Sequence, residues 1–302
     1  MMLINEDQMM LKGLVLCGFT HARQNRVCKG ANIERFSACF GKTPAVLVLV
    51  WNDLQQLPIH DQLINATEQD LEAFLWLFFW LKSYPTEKKL EGCTGWCDKI
   101  VRERLKRMLT RIASLKPHKI VWPANWNNPN ANTPIFLISV DGTHCPIFEP
   151  TKGHQYSKNT RYYSHKFQRS GLAYELALSI FTNHIVWISG PFPAAMHDPD
   201  IFVLPNGLRS RMPHGKKAIA DSAYRRNAIR HVVSVANNAD TREVRVFKRR
   251  VRARQETIFG RMKVFGILST NFRHGEALHK DVFHAVAVTC QYEMEILPLF
   301  DP

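Results

Sequence analysis

Long apolar runs are scarce in this 302-residue chain. The most apolar stretch, Phe74 to Leu81, has eight residues, less than half of the ~20 a membrane-spanning helix needs. It reads instead as part of a buried helix, and no membrane partner is expected. The first residues lack a charged segment followed by an apolar stretch and a cleavage site, so secretion is not expected. Cysteine is sparse and unpaired in pattern: the seven, at 17, 28, 39, 93, 97, 145 and 290, are odd in number and irregular in spacing. That argues for free thiols in a reducing compartment. Cys93 and Cys97 form a C-x3-C pair, but no second Cys/His pair follows nearby, and small buried residues explain them better than zinc. Acids are also short. Against 40 Lys and Arg stand 26 Asp and Glu, a net charge of +14. Such an excess calls for a polyanionic partner, most simply nucleic acid.

What is present divides the chain. Residues 1–65 are mixed in character, with "AVLVLVW" readable as helix or strand, and no role follows from them. Residues 66–116 read as helical. Thr67 and Asp70 suit a helix start before the apolar run. Ser83-Tyr84-Pro85 breaks that helix, and Thr86 and Glu87 open a short second one ending near Gly92. Gly95 marks a turn, and Asp98 is placed to cap a third helix over 99–115. On that helix Ile100, Val101, Leu105, Met108, Leu109 and Ile112 share a face, opposite Lys99, Arg102, Lys106 and Arg107. The outline fits a helix-turn-helix that binds DNA; a plain bundle with a basic, solvated face fits equally well. Residues 117–132, rich in Pro and Asn, read as a linker.

From 133 to 302 the pattern changes to α/β with a mixed sheet. Ile135–Val140 is a short apolar run stopped by Asp141-Gly142. Leu172 to Ile180 alternates like a strand with one buried face, turns at 182–184, and pairs with Ile185–Ser189, after which "GPFP" ends the segment. Residues 198–211 suit an irregular connection with a helix. Lys217–Ala220 is a strand stopped by Asp221. Helices are expected over 241–268 and 280–297.

Two acids therefore occupy the same slot, each following a strand. Ligands of open α/β sheets bind beyond the carboxyl ends of strands. Two carboxylates converging there repel unless a divalent cation lies between them. A third on a crossing helix would complete an oxygen-rich site for Mg²⁺ or Mn²⁺. Glu256 is the helical candidate: from Thr241 to Lys263 it and Glu243 are the only acids among nine bases. Each acid also has a plainer reading. Asp141 could be a turn residue, Asp221 a helix cap, and Glu256 a surface ion-pair partner. Asp198, in "HDPDIF", is the rival second acid, and His144 and His197 are left as supporting residues.

"DGTH" (141–144), "ADSAY" (220–224) and "RARQETIFGRMKVFGIL" (252–268) resemble the three acidic motifs of DDE transposases, most closely the PIF/Harbinger group of DDE superfamily endonucleases. The interval from Asp221 to Glu256 is 35 residues, a familiar spacing there. Arg252 stands four before the Glu and Lys263 seven after it, as in related enzymes; Arg249 stands where a Tyr often precedes. "YYSHKFQRSGLAYELALSI", "WISGPFPAAMHDPDIF", "NFRH" and "AVAVTCQ" extend the resemblance over about 135–295.

The resemblance implies an RNase H-like mixed sheet flanked by helices and two-metal cutting and joining of DNA, with catalytic and metal-binding Asp141, Asp221 and Glu256. It also implies a separate Myb/SANT-like DNA-binding partner, allows a homo-oligomer, and suits the nucleus, to which "KRRVRAR" (248–254) could direct import. Arg252 and Lys263, on the face of Glu256, are candidates for the scissile phosphate. Arg245, Lys248, Arg249, Arg254 and Arg261 are expected on DNA backbone or in solvent, with Arg102 and Lys106 adding contacts from the N-terminal helices. The alternative is a domesticated, non-cleaving DNA-binding protein that kept the fold.

Overall fold

The computed structural model describes residues 2–128, 133–149, 151–152, 157–158, 160–225, 229–230 and 232–302. The last four residues of the expected linker, 129–132, lie outside this set. The chain divides into two compact units. One is Met1–Lys119 with Met262–Ser269 and Asp281–Ile296; the other is Ile120–Arg261 with Thr270–Lys280 and Leu297–Pro302. No helix among the described residues is long and apolar enough to cross a membrane.

The first unit is helical: α1 (Glu6–Leu16), α2 (His21–Gln24), α3 (Lys29–Phe40), α4 (Pro44–Gln56), α5 (Glu68–Ser83), α6 (Glu87–Thr94), α7 (Asp98–Ala113) and α8 (Lys116–Lys119). The ambiguous "AVLVLVW" is helix. Pro44 sits in its first turn, where a missing N–H costs nothing. Thr67 and Asp70 exchange hydrogen bonds as a capping box, and α5 ends at left-handed Tyr84 before Pro85. The apolar face of α5 anchors the core: Phe74 packs edge-on against Trp51 at 5.3 Å and against Phe78 at 4.9 Å. Gly95, at φ +71°, closes α6 two residues later than expected. Cys97 rather than Asp98 is the cap of α7. Val101, Leu105, Met108, Leu109 and Ile112 are buried on α7, while Ile100, Lys99, Arg102, Lys106 and Arg107 are exposed.

The second unit is built on a mixed sheet: β1 (Phe136–Pro146), β2 (Thr151–Lys152), β3 (Ser157–Lys158), β4 (Tyr163–Ser164), β5 (Arg169–Ser179), β6 (Ile185–Pro193), β7 (Lys217–Ala220) and β8 (Val233–Val235). β2 and β3 form a separate ribbon. In the main sheet β1 is central. It runs antiparallel to β5, which pairs with β6 and β4, and parallel to β7, which pairs with β8. α9 (Asp198–Phe202) follows β6, and α10 (Arg242–Lys263) and α11 (Glu276–Ile296) follow β8.

Three expectations need correction. β1 does not stop at Asp141; it continues to Pro146, because β5 keeps pairing with it after β7 has ended. Nor does β5 have one buried face: after Arg169 every residue through Ser179 is buried, because the sheet is covered on both sides. Ile138, Val140, Ala218 and Ala220 face a core with Phe202 of α9 and Tyr224. Ile219 faces the other way, toward Val251 of α10. β6 also runs through "GPFP" rather than ending before it.

Candidate active site at the end of the parallel strand pair

The site follows from strand register. Ser139 of β1 lies beside Ile219 of β7 in a parallel pair. Two residues further along each strand come Asp141 and Asp221, so the two acids stand side by side where β7 ends. Side chains alternate along a strand. Ser139 donates its hydroxyl to Gln255 Oε1 of α10 at 2.7 Å, so Asp141, two residues on, is on the α10 face. Gly142 is on the opposite face, and there a methyl group would collide with Asp198 Oδ1. Only glycine lets the Asp198 carboxylate lie against the strand. Glu175 is the register partner of Gly142 and shares that face.

The structure thus brings together Asp141, Asp221 and Asp198, with Glu175 and Tyr224 behind them. Burial pushes the Asp141 carboxyl up to about 7; the Gly142 N–H pulls against this, and the charges of Asp221 and Asp198 add to it. Burial and Asp221 also raise Asp198. Glu175, 1% exposed, is raised to about 8, chiefly by burial, although Trp187 Nε1 donates to it at 3.0 Å. Burial raises the Tyr224 phenol, with the surrounding acids adding to the effect. Crowded carboxyls that hold protons near neutrality are common at functional sites.

Asp141 and Asp221 are each oriented by one backbone bond. Asp141 Oδ1 accepts from the Gly142 N–H at 2.8 Å, and Asp221 Oδ1 from the Ala223 N–H at 2.8 Å. The second oxygen of each has no hydrogen bond among the described residues. Asp221 therefore does act as a cap, while Asp141 is a strand residue rather than a turn residue.

Glu256 stands apart. It is exposed on α10 and has no hydrogen bond or ion pair among the described residues, so the ion-pair reading does not describe it. Its neighbour Gln255 is buried and also donates to Leu176 O at 3.0 Å. Leu176 is the register partner of Asp141. Among the described residues no group of three His, Cys, Asp or Glu side chains is arranged to hold a metal ion. Cys93 and Cys97 are exposed thiols rather than small buried residues.

The bases separate into two sets. Lys248 and Arg254, expected on DNA or in solvent, are buried: Lys248 pairs with Asp240 at 2.9 Å and Arg254 donates to Thr182 O. Arg249 and Arg252 are exposed, as is Lys263, which groups with the first unit. Arg261 donates to Leu297 O. Arg102 is held by Asp98 and Glu87, whereas Lys106 is exposed and has no ion pair among the described residues. The base that acts on the acids is Lys166, in the turn between β4 and β5, whose charge draws down both Asp141 and Asp198. The sequence reading missed it, since a lone Lys in a turn has no spacing signal.

The chain belongs to the DDE superfamily endonucleases: a family model of that description matches residues 140–291, which include Asp141, Asp198, Asp221 and Glu256. The family is one of transposase-like nucleases whose substrate is DNA and which generally use divalent metals. No curated protein and no solved structure matches the chain.

Proposed function

We propose that the protein is a transposase-type endonuclease of the PIF/Harbinger group that cuts and joins DNA by two-metal phosphoryl transfer. The observation that carries this reading is the pair Asp141 and Asp221, delivered side by side by two parallel strands inside the family match. Their chemistry fits hard divalent ions: a backbone N–H fixes one carboxylate oxygen of each, and the other accepts no hydrogen bond among the described residues. When bound, Mg²⁺ or Mn²⁺ would activate the attacking hydroxyl and stabilise the leaving oxygen. Asp141 and Asp221 would hold the ions, and Glu256 would complete the set from α10, the helix on the face to which Asp141 points. Arg252, Arg249 and Lys166 are the exposed bases of the second unit that we assign to phosphate, with Arg261 beside them in sequence; in the first unit Lys263, Arg102 and Lys106 are assigned to further backbone contacts. The central β1, with an antiparallel hairpin on one side and parallel strands on the other, supports an RNase H-like fold. The motif resemblance supports a nuclear location, a Myb/SANT-like partner and a homo-oligomer.

A second reading, a domesticated DNA-binding protein that no longer cleaves, is favoured by one observation: Glu256 is in solvent and shares no interaction with the two aspartates. Glu256→Gln separates the readings. The nuclease reading expects cleavage in Mg²⁺ to fall by at least about 100-fold, the scale for losing an electrostatic contact in the transition state. It also expects a smaller rise of melting temperature on Mg²⁺ addition, and unchanged or tighter DNA binding without metal. A wild-type protein that binds DNA but never cleaves it in Mg²⁺ or Mn²⁺ supports the second reading. Full Mg²⁺-dependent cleavage by the Gln variant removes Glu256 from the site.

A further inference from the structure

A cavity of about 430 Å³ opens beside the two aspartates, within the size range of small-ligand sites. Its lining includes Gly142, Thr143 and His144, which follow Asp141 on β1; Ala223, two residues after Asp221; and Asp198. The turn Tyr163–Phe167 forms another wall.

The lining is chemically specific. Phe167 is 42% exposed although it is a large apolar side chain. One face of its ring stacks on the His144 imidazole, with centroids 4.7 Å apart and planes at 26°. His144 is held from behind by Gly171, where any side chain would collide with its ring. The ring is therefore backed by His144 on one face. Lys166 Nζ lies over the ring, 5.4 Å from its centroid, on a flexible stem that can move aside. Thr143, 8% exposed, has a buried hydroxyl with no hydrogen-bond partner among the described residues. A supported aromatic ring and a flexible cation beside it are what a nucleobase and its phosphate require.

We propose that this cavity holds one unstacked DNA base next to the phosphodiester addressed by Asp141 and Asp221, with Phe167 as stacking platform and Lys166 as phosphate contact. The proposal rests on the nuclease reading and sharpens it: the substrate is DNA with a base turned out of its stack, as enzymes that need access inside a duplex require. Lys166 then bridges the acids and the adjacent phosphate.

The test uses the full chain and two fluorescent probes of equal length in metal-free buffer: a thymidine oligonucleotide and an abasic one that keeps the phosphates. Phe167→Leu keeps an apolar cover on His144 but removes the aromatic face. It should weaken thymidine-oligonucleotide binding roughly tenfold, within the range for one base–aromatic stack, and leave abasic binding unchanged. Phe167→Trp should restore the difference. Lys166→Gln should weaken both probes and reduce the salt slope by about one. If Phe167→Leu binds both probes as the wild type does, or loses both equally with no rescue by Trp, the cavity takes no base and the proposal fails while the nuclease reading stands. If the wild type neither binds DNA nor cleaves it in Mg²⁺ or Mn²⁺, both fail together.

Discussion

Asp141→Asn should make the metal-free protein more stable at alkaline pH. Asp141 titrates at about 7 in the folded chain and at an ordinary 3.8 when unfolded. A carboxyl with a raised folded value binds its proton more tightly in the folded state. Its stabilising contribution is complete below pH 3.8 and is lost as the pH rises through 7. The gap of about three units corresponds to about 4 kcal/mol at pH 8. Asparagine keeps the size, keeps an oxygen for the Gly142 N–H, and has no charge for Asp221 and Asp198 to repel. A gain of about 2–4 kcal/mol is expected, on the order of 5–10 °C in melting temperature for a unit of this size. The assay is a set of melting curves from pH 4 to pH 8 in chelator, for wild type and variant. The difference should be largest at pH 8 and vanish near pH 4. Saturating Mg²⁺ should raise the wild type toward the variant and leave the variant unmoved, since only the wild type keeps the carboxylate pair. A variant no more stable than the wild type at pH 8, or a difference that does not change with pH, would refute the claim that Asp141 is held under electrostatic strain.

Two further outcomes follow from groups elsewhere. His279 is fully buried, with Nδ1 hydrogen-bonded to the Tyr174 hydroxyl at 2.7 Å, and burial lowers it to about 4. The unfolded chain binds that proton first, so stability drops by about 3 kcal/mol as the pH falls from 6.5 to 4; His279→Gln should lack this loss relative to wild type, and parallel pH profiles would show that His279 titrates normally. On α7, Lys106→Glu with Arg107→Glu should weaken DNA binding and reduce its salt slope by about two, because both are exposed and have no ion pair among the described residues; an unchanged salt slope would assign α7 a scaffold role.

Much of the second unit was legible because its signals are local. Lys217–Ala220 and its stop at Asp221, the hairpin of β5 and β6, and the basic α10 all carry their own patterning or punctuation. The capping box of α5 and the left-handed Gly95 are equally local. What was not legible depends on distant partners. Asp-Gly at 141–142 has the composition of a turn, but β5 continues the ladder through it, so pairing overrides the local signal. Lys248 and Arg254 look like their exposed neighbours; only Asp240 and the Thr182 carbonyl, brought by other segments, make their burial tolerable. β4 is two residues long and β8 three, too short for any periodicity. In the N-terminal region "AVLVLVW" was ambiguous as a pattern, yet Thr43-Pro44 is a helix-start signal that could have decided it.

On the nuclease reading proposed above, Glu256 would be the third carboxylate, yet it is exposed and touches neither aspartate. What would place it lies one residue earlier. Gln255, 2% exposed, accepts from the Ser139 hydroxyl and donates to the Leu176 carbonyl. Ser139 is two residues before Asp141, and Leu176 is its register partner. One amide side chain thus ties α10 to both strands that carry the first acid, and it sets the backbone of residue 256 relative to Asp141. On this argument Gln255 is a positioning residue. Gln255→Leu keeps apolar packing but leaves the Ser139 hydroxyl and the Leu176 carbonyl buried without partners, costing about 1–3 kcal/mol each. A purely structural role predicts a lower melting temperature and an unchanged Mg²⁺ concentration for half-maximal cleavage. A positioning role predicts that this concentration rises several-fold as well, because Glu256 is no longer delivered in register. If half-saturation does not move while stability falls, Gln255 only fills the sheet–helix interface, and the placement of Glu256 must come from the loaded site itself.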